Sequence, residues 1–172
     1  MARIFSFFRA LTSKVTLPRS AARPIPRMSR IRQANGDDYP ESAAENLADA
    51  LSLLAANRTD GAAYLSGYVV ECALKSLVVV AAGNPLNFGH NLNRLSREAL
   101  NLAALPGSKT ARYIPRLNPG PSIIDAPPNG WRETLRYREA GAVTALTATS
   151  WLAEAQAVFA STIIPLRIDG LI

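Results

Sequence analysis

Between Asp60 and Gly83 the chain runs through 22 residues, Gly61 to Ala82, that are apolar almost throughout and carry only Glu71 and Lys75 as charges. Asp60 is a good N-cap and Gly83 a good helix stop. The stretch therefore predicts one helix of roughly 33 Å at 1.5 Å per residue. A helix that is apolar nearly all round has to be covered by others on most of its sides. The expected fold is all-α, an up-and-down four-helix-type bundle built on this segment, with a long irregular loop before the last helix.

Its length alone would let the segment cross a bilayer, for which about 20 apolar residues suffice. Glu71 and Lys75 sit at its middle, however, and each charge there costs roughly 2.5–3.5 kcal/mol. A core helix is the reading the charges favour, and no membrane span is expected. The single cysteine, Cys72, lies inside the same helix. It has no internal disulfide partner, and one Cys with one His cannot build a zinc site. A reducing cytoplasm fits, and no metal is expected.

The net charge of +6 is unevenly placed. Residues 1–27 hold Arg3, Arg9, Lys14, Arg19, Arg23 and Arg27 and no acid; taking these six from 19 Lys and Arg leaves 13, against 13 Asp and Glu. The basic character thus belongs to the tail. Residues 1–38 are expected to form a basic, disordered extension, and residues 39–172 the bundle. An acid-free, Arg- and Ser-containing start also resembles a transit peptide, and Met28 is an alternative functional start.

In the bundle, Pro40 with Ser42 and Glu45 suggests a capping box opening a first helix. Ala43, Leu47, Ala50, Leu51 and Leu54 form its apolar stripe. A tight link at 57–60 should fold it back against the long helix. There, Tyr64, Tyr68, Glu71 and Lys75 recur at i, i+4, i+7 and i+11, one above another. They make either a polar seam or a groove for a ligand or partner. His90 or Asn91 caps a third helix with Leu92, Leu95, Ala99 and Leu102 on one face. Residues 105–130 break all periodicity and carry Lys109, Arg112 and Arg116 as a basic loop. Trp131 to Tyr137 reads as a short segment packed through its aromatic ends. The last helix is expected from Thr144 to about Leu166, stopped by Pro165 and Arg167. Neither a P-loop, a G-x-G-x-x-G nor a G-x-S-x-G is present, so no cofactor is expected.

Several of these pieces, in this order, resemble the HEPN family of small bacterial and archaeal helical domains. The likeness rests on Ala63-Tyr64, Gly67-Tyr68, the run from Glu71 to Lys75, Gly89-His90-Asn91-Leu92, Trp131, Arg136-Tyr137 and the alanine-rich last helix, and spans about residues 39–166. The resemblance implies a dimerising bundle acting in toxin–antitoxin or defence systems, binding nucleotide or RNA, some members beside a nucleotidyltransferase partner. Many relatives are metal-independent ribonucleases with an Arg, four to six residues, then a His. Here His90 is the only histidine, and Gly83, Asn84 and Pro85 stand where that Arg would be. The resemblance therefore implies a non-catalytic module. The alternative is a ribonuclease in which His90 works with an arginine distant in sequence, such as Arg58, Arg94 or Arg136. The groove would be lined by Tyr64, Tyr68, Glu71, Lys75, Arg136 and Tyr137.

Because the fold is expected to start near residue 39, removal of residues 1–27 should leave the melting temperature nearly unchanged. Thermal denaturation followed by circular dichroism checks this, and a drop of many degrees would contradict it.

Overall fold

The computed structural model describes residues 28–84, 89–113, 123–125 and 129–172. Residues 1–27, and with them most of the basic extension, lie outside the described residues, as does Arg116. Four α-helices carry the architecture: α1 (Tyr39–Ala55), α2 (Thr59–Ala82), α3 (Leu92–Ala103) and α4 (Ala145–Ile168). Two short 3-10 turns, Ala111–Tyr113 and Glu133–Tyr137, lie between α3 and α4. No strand occurs among the described residues, so the fold is an all-α bundle.

The start of α1 differs from the Ser42–Glu45 box. Asp38 is the N-cap, its Oδ1 accepting the Glu41 N–H at 3.4 Å while Oδ2 accepts the Ser29 N–H at 2.8 Å. One aspartate thereby fixes both the helix start and the segment before it. The helix ends in a Schellman closure. Arg58 N–H bonds to Leu53 O and Asn57 N–H to Leu54 O, both at 2.9 Å. Asn57 takes the left-handed conformation this closure needs, at φ +57°, and Asn is among the few non-glycine residues that do so readily.

The chain then enters α2 directly and runs antiparallel to α1. Leu53 lies against Gly61 at one end, and the Lys75 ammonium sits 5.3 Å over the Tyr39 ring towards the other. Asp60 does not cap α2; Arg58 holds that position without a side-chain bond. Asp60 instead accepts the N–H groups of Gly141 and Val143 at 2.6 and 2.8 Å, and Thr59 Oγ1 donates to Val143 O. The residues leading into α4 are thus fastened to the start of α2. At the far end Arg167 pairs with Glu41 at 2.7 Å, beside the start of α1. These two ties make α4 run parallel to α2, as an up-and-down order requires.

α2 is the central helix. Val69, Val70, Ala73, Leu74, Leu77 and Val78 are fully or almost fully buried, and each large aliphatic among them contributes about 1.5–3 kcal/mol on leaving water. It is the one described helix long and apolar enough to cross a membrane, and 67% of its apolar window is buried within the bundle. Gly83 ends it in the left-handed conformation, φ +80°.

The described parts of the long loop place several side chains in the core. Tyr113, Ile123 and Trp131 are buried. The Ile123 N–H donates to Glu154 Oε2 of α4 at 2.9 Å, and the Trp131 backbone N–H donates to Ile123 O at 2.9 Å. α4 itself starts at the Thr144 cap as expected, but Pro165 lies inside it. The helix ends only at a second Schellman closure, where Leu171 N–H bonds to Leu166 O around Gly170, φ +67°.

Candidate functional site

A row of polar side chains runs down one edge of α2 at helical spacing. The Tyr64 and Tyr68 hydroxyls are 3.1 Å apart and their rings meet edge to face at 5.1 Å. One turn on, Glu71 Oε1 accepts from Lys75 Nζ at 2.7 Å. Its second oxygen, Oε2, lies 2.9 Å from His90 Nδ1. Only 3% of the Glu71 side chain is exposed, against 44% for His90. A carboxylate already held by an ammonium is an acceptor, so Nδ1 carries the proton in neutral His90. Nε2 is then left for the cleft that the ring lines.

Trp131 closes the row from above. It stands edge to face with Tyr68 at 5.1 Å and 6.3 Å from Tyr64, and its indole N–H donates to the Tyr64 carbonyl at 2.9 Å. His90 meets Tyr68 edge to face at 5.7 Å. The close approach depends on Gly67, because a Cβ there would overlap the indole at Cε2 and Nε1 of Trp131. The glycine in Gly67-Tyr68 is therefore a seat for an indole.

Burial, and then the neighbouring Tyr64 hydroxyl, raise the Tyr68 phenol well above its ordinary value. Burial and Asp37 push Tyr39 up to about 12. Burial, with the negative charge of Glu71 behind it, pushes Cys72 up to about 12. The Cys72 thiol is accordingly an inert core group.

Beside this row a cleft of about 260 Å³ opens between the start of α3 and the segment around Trp131. His90, Asn91 and Asn93 line one side; Asp125, Trp131, Arg132 and Glu133 line the other. Asn91 caps α3 with its side chain, accepting from Arg94 N at 2.9 Å, which fixes His90 just ahead of the helix. The cleft carries both signs of charge and amide groups, a set suited to hydrogen-bonding a polar ligand.

The structure brings together most of the residues singled out by sequence. Tyr64, Tyr68, Glu71, Lys75 and His90 are contiguous, and Arg136 acts electrostatically on both tyrosines. Tyr137 is not packed as expected: it is 73% exposed, with the Arg136 guanidinium 4.7 Å over its ring. In the basic loop, Lys109 is exposed and Arg112 is paired with Asp169 at the end of α4, 2.7 Å away. Asp169 also takes a hydrogen bond from the Tyr113 hydroxyl. Among the described residues, the arginine that lines the cleft with His90 is Arg132, not Arg58, Arg94 or Arg136. Arg132 and Tyr39 are the members sequence reasoning missed. Arg132 follows Trp131 directly, so the Trp131–Gly67 fit is the signal that would have placed it.

The order of these pieces along the chain is that of a known family. A family model described as the HEPN domain matches residues 37–162. The chain belongs to the HEPN domain family. No curated protein and no solved structure matches it. The matched span takes in α1 to α3 and most of α4, so the Tyr64–His90 row and the Arg132 cleft both lie inside the HEPN domain.

Two outcomes follow from this geometry. Gly67→Ala should destabilise the protein by about 1–3 kcal/mol through overpacking, despite the better helix propensity of alanine, with a red-shifted tryptophan emission in urea titrations as Trp131 is displaced. The raised acids fix the alkaline behaviour. The folded form keeps protons that the unfolded chain releases, so stability is full below the ordinary thiol value of 9.0 and falls as pH rises towards about 12. Urea melts across that range should show the decline.

Proposed function

We propose that this HEPN domain is a non-catalytic binding module of a cytoplasmic toxin–antitoxin or defence system. It acts as a homodimer that engages a nucleotide, RNA or a partner such as a nucleotidyltransferase. The observation that supports this is the missing arginine: Gly83, Asn84 and Pro85 occupy the positions separated from the only histidine by six, five and four residues. Metal-independent RNA cleavage needs a cation on the phosphate and proton transfer at both the 2′-hydroxyl and the leaving group. With Arg132 as the cation and His90 as the imidazole, beside Asp125 and Glu133, the cleft is a meagre set for that chemistry. It is well furnished for recognising the base or ribose of a nucleotide through Asn93, Arg132 and the His90 ring.

A second reading has its own support. Glu71 holds His90 through Nδ1 at 2.9 Å, as an acid–base dyad holds its imidazole, and Arg132 lies in the same cleft. That arrangement would serve a ribonuclease with an unconventional arginine.

Incubation of the full chain with labelled RNA in the presence of a chelator separates the two. The expected outcome is no cleavage, with binding measured by anisotropy and weakened about fivefold to tenfold in Arg132→Ala. Metal-independent cleavage that disappears in His90→Ala would establish the ribonuclease instead.

A further inference from the structure

The polar side chains lining the cleft divide into those already engaged and those left over. Asn91 is committed to capping α3, the Trp131 indole N–H to the Tyr64 carbonyl and His90 Nδ1 to Glu71. Asp125 has a partner of its own. Arg132 and Glu133 differ. They are half-buried, adjacent in the chain and opposite in charge, yet among the described residues neither side chain makes a hydrogen bond or an ion pair. The backbone at Arg132 is extended, φ −146° and ψ 148°, which sends consecutive side chains in different directions and keeps this pair apart. The wall of the cleft therefore carries, side by side, a fork that donates two hydrogen bonds and a fork that accepts two. Two carboxylates, Asp125 and Glu133, outnumber the one guanidinium lining the opening, so a phosphate is disfavoured inside it. Leu92 and Trp131, 3% and 4% exposed, add apolar surface. The volume of about 260 Å³ falls just under the roughly 300–1,000 Å³ of sites for drug-sized ligands, which is room for one base and not for a stack of them.

We infer that the cleft is specific for guanine, Glu133 accepting from N1–H and the N2 amine of the base while Arg132 donates to its O6 and N7. The assignment rests on the nucleotide-binding reading above and names the base. Along one edge guanine presents N2, N1, O6 and N7 in succession, two donors followed by two acceptors. Neighbouring carboxylate and guanidinium forks match that row group for group, and the pairing of an arginine with O6 and N7 is a common specific contact to guanine. The other bases of RNA do not offer the row. Adenine sets its N1 lone pair towards the carboxylate and its N6 amine towards the guanidinium. Uracil has a single N–H between two carbonyls, and cytosine a single amine beside two acceptors. Each of them leaves a charged, half-buried group of the cleft unpaired, which is how a hydrogen-bonding site rejects a wrong ligand. The excess of carboxylate acts in the same direction: the base enters, and its phosphate stays outside the opening.

Isothermal titration calorimetry of the full chain with 5′-GMP, 5′-AMP, 5′-UMP and 5′-IMP tests this. GMP should bind about tenfold to a hundredfold more tightly than AMP or UMP. IMP, which keeps N1–H, O6 and N7 and lacks the N2 amine, should fall between them. Glu133→Ala should make GMP and IMP bind alike, and Arg132→Ala should do the same for GMP and 7-deaza-GMP, which lacks the N7 acceptor. A merely structural role would not erase these differences one at a time. Neither side chain has a partner among the described residues, so both variants should keep the wild-type circular dichroism. Equal wild-type affinities for GMP and AMP would overturn the guanine assignment and leave the nucleotide-binding reading standing. A preference for GMP that survives in both variants would put the base elsewhere and overturn the cleft as its site. Failure to bind any of the four nucleotides overturns the assignment whatever the RNA anisotropy shows; if that is flat as well, the nucleotide-binding reading falls with it.

Discussion

A carboxylate buried in the most apolar helix of a chain has to be met by positive charge or hydrogen-bond donors, because alone it would cost several kcal/mol. Glu71 is that carboxylate. Lys75 answers it from one turn further along α2, and His90 answers it from the residues leading into α3. The first contact is local to the helix. The second joins two elements 19 residues apart and fixes where α3 begins. Removing Lys75 would leave the buried carboxylate without a counter-ion, and removing His90 would leave one of its oxygens without that donor, so each contact holds the geometry of the trio. That rigidity is what a binding cleft needs from its wall.

The other wall depends on steric fit. Trp131 can reach the carbonyl of Tyr64 only because Gly67 leaves an indole-sized gap in the side of α2. The Trp131 backbone N–H reaches Ile123 O, and Ile123 N–H in turn reaches Glu154 on α4. A buried carboxylate on α4 thereby supports the backbone that delivers the indole, and Arg132 and Glu133 to the cleft beside it. Two buried glutamates, one on each long helix, position the two sides of the same opening.

Much of this was legible in the sequence, for physical reasons that differ by element. Periodicity exposed α1 to α4 and the Tyr64–Lys75 row, since side chains at i, i+4, i+7 and i+11 share a face whatever surrounds them. Gly83 was legible as a stop because the left-handed conformation is cheap only for glycine. The caps were less so. Asp60 sits in the first turn, where an acid suits the helix dipole whether or not it caps, and its actual partners, Gly141 and Val143, are some 80 residues away in the chain. Asp38 with Glu41 and Ser42 with Glu45 offer overlapping start signals, and the bond from Ser29 N–H favours the earlier one. Pro165 removes one backbone donor without ending α4, because the chain reverses only where Gly170 permits it. Arg132 carried no periodic signal, since its place is set by Trp131.

α2 and α4 are both 24 residues long and both rich in Ala and branched aliphatic residues. By composition they are hard to tell apart, and either could have been the central helix. The difference lies in where the bulk is placed. α2 keeps Val69, Val70, Leu74, Leu77 and Val78 in a band that other helices surround, and places Gly67 at the seat of an indole. α4 directs Trp151, Leu152, Val158 and Ile163 inward and leaves Ala153, Ala157 and Ala160 outside. Small side chains on an outer face give up little free energy to water, so the bundle tolerates them there.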